Sequence, residues 1–255
     1  MTLKDRSPVR DVYLFGTCVI DLFMPQAGLD AVRVLEASGI TVHYPRGQSC
    51  CGQPAWSSGN PDEARAVARA QLDLFPHEWP VIVPSGSCAG MMRKHWPDLF
   101  RDDPVLGPQA QALAERVFEF AEYLTCVLGW NLPAGTSVGA ETVALHTSCS
   151  ARREMGTRAH GVALLDALPG VTRVDHVRES ECCGFGGSFS IKHADISGAM
   201  VKDKVASVSA TGCGRVVSAD CACLLNIGHA ARHQNAPFDV EHIASFLWRR
   251  MGNEA

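Results

Sequence analysis

Two adjacent cysteines followed by glycine occur twice in this chain, as Ser49-Cys50-Cys51-Gly52-Gln53-Pro54 and as Glu181-Cys182-Cys183-Gly184-Phe185-Gly186-Gly187. Each pair sits in a matching frame. Cys18 precedes the first pair by 32 positions (50 − 18), and Cys149 precedes the second by 33 (182 − 149). Another cysteine, Cys88 or Cys223, follows each pair at strand-plus-loop distance. One such pair is easily an accident of burial, but repetition with the same glycine and the same flanking order is not. The chain therefore reads as two copies of one cysteine-bearing unit.

The short apolar runs explain how those cysteines meet. Val12–Phe15, Ile40–Tyr44 and Val81–Val83 read as buried strands, and each runs into a small-residue turn that delivers Cys18, the Cys50-Cys51 pair or Cys88. Val143–His146, Val171–Val177 and Arg215–Ser218 repeat the order and deliver Cys149, the Cys182-Cys183 pair and Cys223. Helices are expected over about 25–38, closed by Gly39, and over about 60–75, opened by Asn60 and Pro61. Further helices are expected over about 109–128, 157–168, 194–209 and 240–250. Strands alternating with helices predict an α/β fold of two pseudo-symmetric Rossmann-like repeats, each a parallel sheet flanked by helices. The cysteines then lie on loops at the carboxyl ends of the strands, the edge where open α/β sheets bind their ligands. Gly129–Gly139 is the expected linker, dividing the chain into repeats 1–135 and 136–255.

Composition narrows the chemistry. A chain of 255 residues, 46% hydrophobic, buries enough surface to fold without disulfides. Its 11 cysteines thus point to metal or redox work in a reducing compartment. The polar start, with Lys4, Asp5, Arg6 and Arg10, and the short run after it lack the pattern of a signal peptide. No apolar stretch is long enough for a bilayer, so a cytoplasmic protein without a membrane span is expected. A net charge of −4 with mixed signs argues against nucleic acid as a partner.

Four thiolates from three loops match the needs of a [4Fe-4S] cluster, in which each iron takes one external sulfur. Cys18, Cys50, Cys51 and Cys88 form the first candidate set. Cys149, Cys182, Cys183 and Cys223 form the second. Zinc is an alternative, since four thiolates satisfy it tetrahedrally, although the short Cys-x2-Cys knuckles of structural zinc sites are absent. Thiol–disulfide chemistry without metal also remains open. Gly52 and Gly184 supply the sharp turn that lets neighbouring cysteines reach one group. His146 is expected to be structural or to donate to a bound sulfur, and Phe15 takes its place in the first half. Arg46, Arg152 and Arg178 are expected near the sites, as charge balance or as solvated loop residues. Cys126 and Cys213 fall outside the frame and read as packing residues. No catalytic acid, base or nucleophile arrangement stands out.

These motifs resemble the CCG cysteine-rich domain, found twice in one of the subunits of heterodisulfide reductase and also in the iron-sulfur subunit of glycolate oxidase. Within it, the chain is most similar to the lactate utilization protein A family. The likeness is carried by Gly16–Phe23, Gln48–Ala55, Pro84–Met91, Cys182–Ser190 and Cys223–Gly228. It implies an iron-sulfur electron-transfer subunit of a complex oxidising L-lactate to pyruvate. Such a chain is an oxidoreductase component active only with two further lactate-utilization subunits, one of them ferredoxin-like. In the wider family the motifs often end in Cys-x-x-Cys, whereas Met91 and Asn226 stand at those last positions here. That departure weighs against a disulfide-reducing centre like that of heterodisulfide reductase, which stays an alternative beside a zinc- or thiol-based structural subunit. Cys221 is a possible partial substitute for the missing ligand of the second half.

Overall fold

Among the described residues, eight short strands form two sheets of four, and every strand pairing is parallel. The first sheet contains β1 (Asp11–Leu14), β2 (Thr41–His43), β3 (Val81–Val83) and β4 (Val117–Glu119), in the order β2-β1-β3-β4. The second contains β5 (Glu141–His146), β6 (Val171–Val174), β7 (Arg215–Ser218) and β8 (Asp239–His242), in the order β6-β5-β7-β8. The duplicated α/β architecture expected from the sequence is the one observed. This is a computed structural model describing residues 10–133, 136 and 139–253. The expected boundary at 135 lies outside the described residues, as do the N-terminal residues 1–9 and part of the 129–139 linker.

Among the described residues, strand alternation sorts the strands' side chains into three of the four apolar cores. In β1 the even positions Val12 and Leu14, and in β5 the odd positions Val143 and Leu145, face a core shared by both halves. There Val34 and Leu35 of the helix Pro25–Ala37 meet Phe246 and Leu247 of the helix Ile243–Arg250. The opposite faces build separate cores: Tyr13 and Phe15 pack with Cys51, Cys88 and Trp96, and Ala144 packs with Cys183, Cys223 and Leu224. The second cysteine of each pair is thereby anchored in its own half's core.

Two expectations are corrected. The stretch 109–128 is not one helix: a helix at Leu106–Ala114 gives way to β4, then to a helical turn at Phe120–Glu122 and a π-helical segment at Tyr123–Leu128. The C-terminal helix begins at Ile243, because 239–242 form β8. The two overlooked strands occupy equivalent sheet edges. Each ends in a buried residue that caps the next helix through its side chain: Glu119 accepts from Ala121 N–H at 3.0 Å, and His242 accepts from Ala244 N–H at 3.2 Å.

Candidate metal centre

The eight cysteines of the two expected sets line a single cleft that opens to solvent. The cause is topological. β1, β2 and β3 end at one edge, β5, β6 and β7 end at another, and the shared core turns these edges toward each other. Cys18 opens the helix Cys18–Phe23 directly after β1, and Cys88 lies in the first turn of Gly86–Gly90 after β3. Cys149 sits just ahead of the π-helical turn Ala151–Met155, and Cys223 lies in the first turn of Cys221–His233. Only the cysteine pairs stand on true loops.

Within each quartet the sulfurs form a chain. Cys51 Sγ lies 3.3 Å from Cys88 Sγ, and Cys183 Sγ lies 3.0 Å from Cys223 Sγ. The first cysteine of each pair takes the central, anionic place. Hydrogen bonds from the Cys18 and Cys51 thiols, helped by the Gly52 N–H, hold Cys50 as a thiolate with a pKa of about 3. Cys149, Cys183 and the Gly184 N–H do the same for Cys182, at about 2. The donor thiols of Cys18 and Cys149 are pushed up in exchange, by those same bonds and by burial.

The glycines after the pairs are conformational requirements. Gly52 has φ 91 and Gly184 φ 87, left-handed values that favour glycine, and their N–H groups donate to the sulfurs of Cys50 and Cys182 at 3.4 and 3.3 Å. A Cβ there would lie 3.0 Å from Ala64 O or 2.7 Å from Ser197 O. Thr17, just before Cys18, also has a positive φ of 53, an unusual conformation for a β-branched residue and a local strain at the site. The carbonyl of each second cysteine is held as well, by Trp96 Nε1–H to Cys51 O at 2.9 Å and by Asn226 Nδ2–H to Cys183 O at 2.8 Å. Asn226, at the position of the wider family's last cysteine, is thus a brace.

The other expected residues sort as follows. Arg152 pairs with Glu179 at 2.7 Å, and Arg178 pairs with Glu181 at 2.6 Å and with Asp203 at 3.3 Å. Arg46 is exposed. Cys221 lines the cleft but packs with Ile20 and Ala27 of the first half. Cys213 is buried in the second half's core, whereas Cys126 is exposed beside His160, 3.7 Å from its Nδ1. His146 is 1% exposed, and a ring nitrogen lies within 4.8 Å of the sulfurs of Cys183 and Cys223.

Sequence reading missed two buried groups. Asp220 accepts from Ser87 Oγ at 2.6 Å, Ser85 Oγ at 3.0 Å and Ser87 N–H at 3.2 Å, clamping the second half onto the start of the helix that carries Cys88 in the first. Burial raises its pKa and the serine hydrogen bonds oppose the rise. Lys204 donates to the carbonyls of Arg178 and Glu181. Neither belongs to a recognisable spacing, so only the alignment of the halves could have flagged them.

The donor set fits a thiolate-bound metal group. Four thiols per half converge, one already ionised, and a buried imidazole beside the second set has both ring nitrogens without a hydrogen-bond partner among the described residues. Comparison with known proteins agrees. The family model "Cysteine-rich domain" (CCG) matches residues 12–93 and again 143–228. Lactate utilization protein A of Bacillus licheniformis is 39% identical over 236 residues, covering 92% of this chain and 98% of that protein. The Bacillus subtilis protein of the same name gives the same figures, and lactate utilization protein A 2 of Bacillus cereus is 35% identical, covering 92% and 97%. Among solved structures, a hypothetical protein from Helicobacter pylori superimposes with a TM-score of 0.66 at 9% identity. That match covers 98% of this chain and 50% of the Helicobacter chain, so it speaks for the fold alone. With two CCG cysteine-rich domains and this degree of identity along nearly its whole length, the chain belongs to the lactate utilization protein A family.

Proposed function

We propose that this chain is the iron-sulfur electron-transfer subunit of a multi-subunit complex that oxidises L-lactate to pyruvate. The observation that carries the reading is the gathering of Cys18, Cys50, Cys51 and Cys88 with Cys149, Cys182, Cys183 and Cys223 around one cleft. The names of its relatives supply the substrate. In this reading each quartet holds a cluster, [4Fe-4S] being the type four thiolates suit, and repeats 1–135 and 136–255 contribute one each. Bound there, such a group takes up and releases single electrons.

The chain's own residues prepare both sites for it. Gly52 and Gly184 aim the cysteine pairs, Trp96 and Asn226 fix the carbonyls behind them, and Asp220 holds the two edges together. Two further lactate-utilization subunits, one ferredoxin-like, are the expected partners. A cytoplasmic setting is part of this proposal, since a reducing compartment suits a chain with this many cysteines; no helix among the described residues is long and apolar enough to cross a membrane.

Zinc stays the second reading, because the ligand atoms of His146, Cys183 and Cys223 lie within 4.8 Å of one another, a spacing that a single tetrahedral ion also fits. Anaerobic reconstitution with iron and sulfide separates the two. Brown protein with bound iron and sulfide and an EPR signal on reduction supports the proposal. Colourless protein holding stoichiometric zinc overturns it.

A further inference from the structure

The duplication makes each half the control for the other, and two buried positions break the symmetry. His146 and Phe15 are equivalent, each three residues before the first cysteine of its quartet (149 − 146 and 18 − 15) and each buried at the carboxyl end of its central strand. Phe15 is fully buried and apolar. His146 is buried too, with both ring nitrogens unsatisfied among the described residues and one of them near two sulfurs. A buried imidazole without a partner is costly, and a donor to a bound sulfur would relieve that cost.

The second break lies behind the cysteine pairs. Gly52 packs on Ala64 and Gly184 on Ser197. Gln71 follows Ala64, and Lys204 follows Ser197, by the same interval (71 − 64 and 204 − 197). Both are 1% exposed, and both brace the loop that carries the pair. Gln71 exchanges hydrogen bonds with Ser49 at 2.8 and 3.0 Å, whereas Lys204 donates to the carbonyls of Arg178 and Glu181. One job is done by a neutral amide in the first half and by an ammonium in the second. Burial pulls the Lys204 pKa below its ordinary 10.5, and Cys183, Glu181, Cys223 and Cys149 act against that fall, which sets the ammonium beside the second quartet.

We propose that the two centres are inequivalent, the second being the more readily reduced, because Lys204 and His146 stand where the first half has Gln71 and Phe15. Resting on the iron-sulfur reading, this gives electron flow a direction, from the first quartet's group to the second's. The cause is electrostatic: reduction adds a negative charge, which a buried cation and hydrogen bonds to sulfur stabilise.

A redox titration of anaerobically loaded full-length protein, followed by EPR, tests it. Two midpoints are expected, the upper one lost in Cys182→Ser and the lower one lost in Cys50→Ser. Lys204→Gln and His146→Phe install the first half's residues in the second. Each should lower the upper midpoint by at least tenfold in the reduction equilibrium, about 59 mV for one electron, and leave the lower one in place. If Lys204→Gln fails to fold, His146→Phe decides alone. A single common midpoint, an upper midpoint that belongs to the first quartet, or indifference to the substitutions overturns the inference while the iron-sulfur reading stands. Protein that takes up no iron overturns that reading and this inference with it.

Discussion

At Gly184 the absence of a single methyl group decides how a cysteine is presented. With φ at 87 and Ser197 O only 2.7 Å from where a Cβ would lie, alanine must move either the loop or the helix Ala194–Ser209. Gly184→Ala should cost about 1–3 kcal/mol and remove roughly half of the bound iron in the reading proposed here. Metal analysis of the purified variant, beside Gly52→Ala with its looser 3.0 Å contact, checks this; full iron content in Gly184→Ala would mean the turn is not needed. Asn226→Ala should be gentler, losing one hydrogen bond to Cys183 O, worth about 0.5–1.5 kcal/mol in a denaturant titration. The cysteines and these glycines were legible from the chain because their types and spacing recur. Lys204 and Asp220 were not, since a lysine inside an alanine- and valine-rich helix and an aspartate before a cysteine carry no periodic signal. Their roles arise from tertiary packing across distant segments.

At the scale of elements, the sequence conceals its two edge strands for a common reason. Val117–Glu119 and Asp239–His242 are short, and each runs straight into a helix. The apolar series Val117, Phe120, Leu124 and the series Ile243, Phe246, Leu247 then keep helical spacing through or beside the strand. What marks the junction is the capping side chain. Glu119 is buried, and desolvation pushes its pKa up to about 8 from an ordinary 4.5, against the pull of the Ala121 and Glu122 N–H groups. The folded state therefore keeps a proton that the unfolded chain gives up, and stability should fall as pH rises from about 4.5 to about 8. Glu119→Gln retains an acceptor oxygen for both N–H groups. It should match the parent protein near the lower end of that range and exceed it by about 4 kcal/mol near the upper end. Urea midpoints across the range read this directly, and parallel slopes for the two proteins would refute it.

Across the whole molecule, the halves are joined by more than a linker. Leu35 and Phe246, from opposite ends of the chain, share one core, His242 Nε2–H donates to Pro84 O at 3.0 Å, and Asp220 grips Ser85 and Ser87. Unfolding should accordingly be a single cooperative transition, not two. Phe246→Ala, at a fully buried position, should lower stability by about 3–5 kcal/mol and keep that one transition; calorimetry resolving two separate peaks in the parent protein would contradict it. The common cleft adds a last consequence. Because both quartets open onto the same mouth, whatever reaches one set of sulfurs, whether an assembly factor, a chelator or dioxygen, arrives at the other by the same doorway. In the reading proposed here, exposure to such an agent should then strip both halves of the parent protein at matching rates, while a variant that lacks the ligands of one quartet still loads the other.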